Sequence, residues 1–279
     1  SEAPGADSAA AKKTQFGPNI HVSSHPVLFH KISVLRSATT PSGTFRSVLR
    51  EVTYHLGYEA TKELKTKKVP VTVSFGRESE EEHLDCMGYK IADRVSLIPI
   101  LRSGLGMSES MLELLPKAAV HHIGMYRLPG HAPVQYFNRL PRKCESDVAF
   151  VLDPVIASSK TTMAVIGILK KWGVPKIHLV SVLASSEGLA IIQEAHPDVY
   201  ATIGMVDGGL TSGGILLPGM GDCGDRLFGT ISSTQEEDKD DDSALVVPPG
   251  KRKRSNSFEA METMKKLEEQ YGEGDGSNE

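Results

Sequence analysis

The sequence predicts an α/β fold in which helices cover both faces of a mainly parallel sheet, with a small hood or arm region beside it. Short, continuous apolar segments, such as VSLIPI at residues 95–100 and VAFVL at residues 148–152, are typical of strands buried on both sides. Segments with helical spacing of apolar residues alternate with them, which favours parallel pairing. Ligands of such sheets bind beyond the carboxyl ends of the strands, so we expect the functional residues in the turns that follow the strands.

In chain order, residues 43–64 predict a helix, because six apolar side chains recur there on one stripe. In residues 69–75, VPVTVSF, a β-branched valine stands at every second position up to residue 73, which predicts a strand. Residues 95–100 are a predicted buried strand, which a Gly-containing turn joins to a helix over residues 107–115. The remaining predicted elements are strands at 120–126, 148–152, 177–183 and 200–206 and helices at 161–172 and 188–195.

Composition divides the chain into three parts. Residues 1–20 are rich in Ala, Ser and Gly and are predicted to be disordered, whereas residues 21–230 form the predicted domain. Residues 231–279 hold 7 Lys and Arg against 13 Asp and Glu, a net charge of −6; the rest, with 24 against 22, carries +2. This acidic segment is predicted to be largely disordered, with a short helix at 257–271.

The same composition argues against several classes of protein. A body with a net charge of +2 gives no reason to expect nucleic acid as a partner. The chain has no apolar run of the roughly 20 residues that span a membrane, and no apolar segment at its start to serve as a signal peptide. Three Cys and ten His show no metal-ligand spacing. We therefore expect a cytoplasmic protein without a metal site built from its own side chains alone.

The first candidate binding segment is Arg-Ser-Gly-Leu-Gly, which follows the strand at residues 95–100. Its glycines let the backbone approach an anion closely, and Arg102 offers a planar fork to phosphate oxygens. A plain turn with a surface arginine explains the segment equally well.

The second candidate segment runs from the strand at residues 148–152 through Asp153 to a Ser- and Thr-rich helix start. Successive amides there can hold a phosphate while the carboxylate reaches the hydroxyls of a sugar. Simple helix capping is the alternative. A P-loop is disfavoured, because that motif requires glycine where Pro154 and Ser159 stand.

The third candidate segment, ILLPGMGDCGDR at residues 215–226, is predicted to form a loop whose main-chain groups can match the donors and acceptors of a flat base. An ordinary Gly-rich turn is the other interpretation.

Together and in this order, the three segments resemble the uracil phosphoribosyltransferases, a family of the type I phosphoribosyltransferase fold. The likeness extends from His25 to Thr230. It includes His25-Pro26, Tyr58-Glu59-Ala60-Thr61, Gly124-Met125-Tyr126-Arg127, Asp153-Pro154, and the whole segment from Pro218 to Thr230.

The resemblance implies transfer of a phosphoribosyl group from phosphoribosyl pyrophosphate (PRPP) to uracil, giving UMP and pyrophosphate. It implies Asp153 and Arg127 as catalytic residues, and Mg²⁺ arriving with PRPP. It also implies a homo-oligomer, a dimer or tetramer with residues 43–64 as a candidate contact, and GTP as an effector. The implied PRPP-binding residues are Arg102, Arg127, Asp153, Pro154, Val155, Ile156, Ala157, Ser158, Ser159, Lys160, Thr161 and Asp222. The implied uracil-binding residues are Leu216, Gly221, Asp222 and Cys223.

This chain departs from the family pattern in two places. The phosphate loop usually contains Gly-Gly where Ser159 and Lys160 stand, and a positive φ at either position would cost of order 1 kcal/mol relative to glycine. The loop after Arg127 lacks the usual acidic residues. These departures leave an alternative: a catalytically weakened protein of the same fold that acts as a regulatory or binding module.

In the tail, Lys251-Arg252-Lys253-Arg254 is either a nuclear-import signal or a solvated charge run.

Overall fold

The structure, a computed structural model, describes residues 16–75, 82–126 and 132–230. The predicted disorder of residues 1–20, of which only 16–20 are described, therefore stays a prediction. The acidic tail at 231–279, including its helix at 257–271 and the basic residues 251–254, also lies outside the described residues, as does Arg127.

Nine strands of the described chain form one sheet, and its central pairings are parallel. The order across the sheet is β1-β11-β10-β8-β4-β6-β7, with β5 beside β4 and β9 beside β10, and only β7 pairs antiparallel. The sequence prediction of a mainly parallel sheet is thus confirmed. The strands are β1 Ile20–Val22, β4 Val95–Leu101, β5 Ala119–Val120, β6 Ile123–Tyr126, β7 Val134–Asn138, β8 Val148–Leu152, β9 Val155–Ile156, β10 Lys176–Ser185 and β11 Tyr200–Asp207.

Helices cover both faces of this sheet, as predicted. The helices are α1 Pro26–Arg36, α2 Ser42–Thr61, α3 Leu105–Leu114, α4 Lys160–Trp172, α5 Ser186–Ala195 and α6 Cys223–Phe228. Side chains of α1, α2, α3 and α6 share one hydrophobic core, whereas those of α4 and α5 share the other. No helix among the described residues is both long and apolar enough to span a membrane.

Strand β8 shows how the sequence produces two cores. Phe150 and Leu152 point into the first core, and Ala149 and Val151 into the second, because successive side chains of a strand point to opposite faces. All four are almost fully buried. A strand with apolar side chains in both directions can lie only in the centre of a covered sheet.

Two small hairpins stand apart from the main sheet and correspond to the predicted arm and hood. Strands β2, Thr66–Phe75, and β3, Glu82–Ile91, pair antiparallel and leave several apolar side chains exposed. Strands β12, Gly209–Leu210, and β13, Leu216–Leu217, pair beside the last loop of the domain. Sequence reasoning found β2 but missed β3.

Other elements of the structure differ from the sequence prediction, either because a predicted element is divided or because an element was not predicted. The predicted strand at 120–126 is interrupted at His121-His122 and divides into β5 and β6, which keep one register along β4. Helix α1 was not predicted, although Pro26 stands at its first turn and His25 accepts a hydrogen bond from the Val27 amide. Strand β7 was also missed, because this short antiparallel edge strand, VQYFN, is mostly exposed and lacks the continuous apolar run used to find the buried strands.

Helix α2 packs its apolar stripe inside this chain, and its expected contact with another chain stays a prediction. The apolar stripe predicted over residues 43–64 exists, but its side chains are buried inside this chain. A methyl group at Gly57 would come within 2.5 Å of Leu114, which shows how closely α2 packs on α3. The stripe is therefore part of the core and is not available as a contact with another chain.

His178 in β10 is buried in the first core beneath the helices. Its ring lies 5.4 Å from that of Phe150, and Nε2 shares a hydrogen bond of 2.8 Å with Thr202 Oγ1. Burial, with help from the nearby positive charges of Lys176 and Lys62, lowers the pKa of His178 to about 3. The ring is therefore neutral in the folded protein.

This buried histidine makes the stability of the protein depend on pH. The ordinary pKa of 6.5 applies to the unfolded chain, so below that pH the unfolded state binds a proton that the folded state excludes. The free energy of unfolding consequently falls as the pH drops from 6.5 toward 3, by up to about 1.4 kcal/mol per pH unit. In urea titrations we expect a shallower fall for His178→Gln, which cannot take up this proton; equal slopes would contradict the assignment.

Candidate active site

Three turns at the carboxyl edge of the sheet enclose a cleft of about 390 Å³. One turn follows β4, one follows β8 and leads into α4, and the third is the loop between β12 and α6. These are the three segments singled out in the sequence, and the structure brings them together beyond the strand ends. The lining comprises residues 100–103, 125, 153, 155, 157–162, 213–216 and 219–224.

The turn after β4 is held tightly against the next strand. A methyl group at Gly104 would approach the Leu152 carbonyl oxygen to 2.3 Å, so only glycine fits there. The peptide between Leu101 and Arg102 is cis. This backbone presents Arg102 at the edge of the cleft, with half of its side chain exposed.

Arg102 is oriented by the end of the domain. Its Nη2 donates to Asp225 Oδ1 at 2.8 Å, and its Nη1 donates to Thr230 Oγ1 at 3.3 Å. The hydrogen bond to Asp225 raises the pKa of Arg102, so the guanidinium stays charged. The chain thus fixes a planar cation at the mouth of the cleft, where it can bind phosphate oxygens.

Asp153 follows β8 directly and lines the cleft. Its backbone amide donates to the Val180 carbonyl of the neighbouring strand, which places the residue at the sheet edge. Its neighbour Pro154 is buried, and the Pro154 carbonyl accepts hydrogen bonds from Val182 and Leu183. A strand end therefore anchors the carboxylate, and the rigid backbone around it leaves little freedom for its position.

The loop between Asp153 and α4 has a conformation that is unusual for its sequence. Ser159 has φ 57° and ψ −10°, the left-handed region that favours glycine. It is 3% exposed, and its hydroxyl donates to the Ser158 carbonyl at 2.7 Å. The positive φ considered from the sequence is thus found at Ser159, whereas Lys160 is helical.

The start of α4 can bind an anion. The first amides of a helix have no partner within it and carry the positive end of its dipole. Lys160, Thr161 and Thr162 bring this helix end to the cleft, and no side chain caps it. On the other side of the loop, the Ser185 hydroxyl donates to the Ala157 carbonyl at 2.6 Å. The loop is therefore held in place, with helix-start amides that are able to bind a phosphate.

The third loop presents main-chain groups to the cleft. Gly219 and Gly221 have positive φ angles of 59° and 75°, and a methyl group at Gly219 would meet the Leu216 carbonyl oxygen at 2.3 Å. Cys223 is buried, and this burial, with the charges of Asp153 and Asp222, raises the pKa of its thiol. Cys223 can therefore contribute its backbone but not a thiolate nucleophile.

The cleft contains most of the residues selected from the sequence. Those that line it are Arg102, Asp153, Val155, Ala157, Ser158, Ser159, Lys160, Thr161, Leu216, Gly221, Asp222 and Cys223. Pro154 and Ile156 do not line it, because both are buried behind the loop. Sequence reasoning assigned no binding role to Ser103 or Met125, although both lie in segments that it singled out, and it missed the turn at residues 213–214.

The carboxylates of Asp153 and Asp222 give the cleft a chemistry suited to Mg²⁺. The described residues contain no group of three or more His, Cys, Asp or Glu side chains that could hold a metal ion. Mg²⁺ is commonly bound through one or two carboxylates together with substrate phosphates and water. The residues present fit an ion that arrives on a phosphorylated substrate.

Comparisons with known proteins identify relatives of the whole domain. The sequence profile described as uracil phosphoribosyltransferase matches residues 22–230. A uracil phosphoribosyltransferase from Roseiflexus castenholzii is 40% identical over 214 residues, which are 76% of this chain and 98% of that protein. Another from Agathobacter rectalis is 42% identical over 210 residues, 75% of this chain and 97% of the relative. Among solved structures, the AQ2163 protein from Aquifex aeolicus superposes with a TM-score of 0.67 at 29% identity, covering 76% of this chain and 98% of that one.

The left-handed conformation of Ser159 leads to a stability prediction. A glycine can adopt this conformation without the clash of a Cβ, so we expect Ser159→Gly to raise the free energy of unfolding by about 1 kcal/mol. Ser159→Ala is the matched control, because it removes the hydroxyl but keeps the Cβ, and it should not stabilise the protein. Urea unfolding measures both; stabilisation by alanine equal to that by glycine would show that the hydroxyl, and not the backbone, is the source.

Proposed function

The chain belongs to the uracil phosphoribosyltransferase family, and we propose that it transfers the phosphoribosyl group of PRPP to uracil, producing UMP and pyrophosphate. The observation that carries the proposal is the convergence of three unlike groups in one cleft. A helix start suited to phosphate, a strand-end carboxylate and an arginine fork all line it or stand at its edge. PRPP requires this combination, because it carries a 5′-phosphate, ribose hydroxyls and a pyrophosphate.

In this proposal PRPP lies across the turns that follow β4 and β8. The amides at the start of α4 bind the 5′-phosphate, with Lys160 beside them. Asp153 accepts hydrogen bonds from the ribose hydroxyls. Arg102 binds the pyrophosphate, and Arg127, which lies outside the described residues, is assigned to the same group by the resemblance alone. Asp222 faces the sugar and pyrophosphate.

Uracil binds to the third loop, around Leu216, Gly221 and Cys223. The backbone there offers N–H donors and C=O acceptors at fixed positions, and a flat base with alternating acceptors and donors can match them. The raised pKa of Cys223 supports a structural role for its side chain. Recognition by the main chain makes base selection depend on the shape of the loop.

The reaction forms a bond between uracil N1 and ribose C1′ while the bond from C1′ to the pyrophosphate oxygen breaks. Uracil loses its N1 proton, and the bonding electrons leave with pyrophosphate. Positive charge grows on the sugar and negative charge on the leaving group. Asp153 stabilises the first and Arg102 the second, while the loops hold the two substrates in line. Asp153 and Asp222 would face an Mg²⁺ ion that arrives with PRPP, and this ion would neutralise further charge on the pyrophosphate.

We further propose that the protein is a homo-oligomer, either a dimer or a tetramer. The exposed apolar side chains of the β2–β3 hairpin, among them Val71, Phe75 and Leu84, support such an assembly better than helix α2 does. A GTP effector stays a prediction from the resemblance, with no described residue assigned to it. We place the activity in the cytoplasm; nuclear import through residues 251–254 stays a prediction.

The proposed reaction can be measured with radiolabelled uracil, saturating PRPP and Mg²⁺. We expect UMP to form, and we expect Asp153→Asn to lower kcat by about 100-fold or more, because it removes the negative charge opposite the sugar. Chelation of Mg²⁺ should also abolish turnover. Binding of PRPP to the variant, measured in parallel, distinguishes lost chemistry from a lost site.

Absence of UMP, with the protein folded and a control enzyme active in the same assay, would overturn the proposed reaction. The alternative, a weakened protein of the same fold, would then be tested by equilibrium binding of UMP. Tight UMP binding without turnover would favour a regulatory or binding module.

The departure at Lys160 provides a separate prediction. Its exposed side chain lies at the first turn of α4 and lines the cleft, so its charge can attract the 5′-phosphate. We expect Lys160→Ala to raise KM for PRPP about 5-fold at low salt and less at high salt. Lys171→Ala, near the other end of the same helix, is the matched control. An unchanged or lower KM in Lys160→Ala would mean that the side chain obstructs the site.

A further inference from the structure

The third loop, which binds the base in the proposed function, is held from behind by a buried ion pair. Arg36 is the last residue of α1, and Asp207 is the last residue of β11. The two arginine Nη atoms donate to the two carboxylate oxygens of Asp207 at 2.9 Å and 2.6 Å. The Asp207 side chain is 4% exposed and that of Arg36 is 20% exposed. Neither residue lines the cleft or carries a role in the proposed reaction.

Both residues of this pair also bind the backbone of Gly219. The Asp207 carboxylate accepts from the Gly219 amide at 2.9 Å, and Arg36 Nη1 donates to the Gly219 carbonyl at 2.7 Å. The ion pair therefore fixes, through hydrogen bonds, both of the peptide groups that flank Gly219. Gly219 has a positive φ and lines the cleft, so the ion pair fixes the loop where the chain turns toward the bound base.

A second arginine holds the next residue of the loop. Arg226 in α6 donates to the Met220 carbonyl at 2.8 Å and, at the end of α1, to the carbonyls of Ser37 at 2.6 Å and of Leu35. Its guanidinium lies over the ring of Phe45, 4.3 Å from the centroid. The consecutive carbonyls of Gly219 and Met220 are thus both turned toward arginine side chains, Arg36 for the first and Arg226 for the second.

The direction of these carbonyls determines the direction of the following amides. In a trans peptide the C=O and N–H groups point opposite ways. Binding the carbonyls of Gly219 and Met220 to arginines therefore turns the N–H groups of Met220 and Gly221 away from them. Within the described part of the chain these two amides donate no hydrogen bond to the protein, and both residues line the cleft.

We propose that Arg36 and Asp207 are positioning residues for base recognition: their ion pair holds the backbone of Gly219 so that the amides after it face the base. This inference rests on the proposed function. It adds that selection of the base depends on a side-chain pair that lies behind the loop. Disturbing the pair should weaken uracil binding and leave the PRPP subsites, which are built on β4, β8 and α4, unchanged.

Two conservative variants test this role. Asp207→Asn keeps the shape and one oxygen for the Gly219 amide, but it removes the charge and one of the two acceptors used by Arg36. Arg36→Lys keeps the charge but replaces the rigid fork with a single nitrogen on a flexible stem, which loses the bidentate contact with the two Asp207 oxygens and no longer fixes the Gly219 carbonyl in one position. We expect each to raise KM for uracil about 10-fold or more, with KM for PRPP changed by less than about 2-fold.

Arg50→Lys provides the matched control. Arg50 makes an exposed ion pair with Glu113, 3.0 Å away, on helices α2 and α3, so the same exchange there should change neither KM. Thermal unfolding of all three variants shows whether they fold, and Arg36→Lys, which retains a charge opposite Asp207, decides the question if Asp207→Asn does not fold. A purely structural role would lower stability while KM for uracil stays within about 2-fold of wild type, and that result would overturn the proposal.

Equilibrium binding separates failure of this inference from failure of the proposed reaction. If the wild-type protein forms no UMP, the reaction is refuted, and titration with UMP and with pyrophosphate then tests the ion pair. Weaker UMP binding by the two variants with unchanged pyrophosphate binding would support the role of the pair. Equal UMP affinity in wild type and variants, or no UMP binding by the wild-type protein, would overturn it.

Discussion

The central constraint on this protein is that its parallel strands must bury both faces. Phe150 and Val151, neighbours in β8, belong to different hydrophobic cores, and helices have to cover each of them. Every parallel strand then needs a crossover, so the turns that follow β4 and β8 emerge at the same edge. The cleft is a consequence of this arrangement, because turns that follow neighbouring parallel strands come together at the same edge of the sheet.

The binding loops at this edge are supported by the elements behind them. Gly104 has no room for a side chain against β8, Ser185 holds the phosphate loop through Ala157, and Arg36 and Asp207 hold Gly219. Loops without such support would have to be ordered at the moment of binding, which costs conformational entropy. The phosphate loop differs from the others in storing strain at Ser159, where the fixed surroundings impose a conformation that serine disfavours.

Sequence reasoning succeeded where a pattern is local. Helix α2, strands β4 and β8, and the three binding turns were predicted because apolar spacing and breaker residues show themselves within about 20 positions. It failed where the evidence is weak or distant. Strands β3 and β7 lack the repeated β-branched side chains that revealed the equally exposed β2. The pairing of Arg36 with Asp207 joins residues 171 positions apart, and no spacing rule reaches that far.

The sequence alone therefore determined the fold class, the three segments that line the cleft, and the family resemblance that the comparisons confirmed, since each depends on residue types in continuous stretches. Only the tertiary structure decided which of those residues line the cleft and which, such as Ile156, lie behind it. It alone showed that Ser159 rather than Lys160 adopts the left-handed conformation, and that the apolar side chains along one face of α2 are buried in the core of this chain. The physical reason is that burial and backbone conformation are set by packing between distant segments, whose geometry exists only once the whole domain has folded.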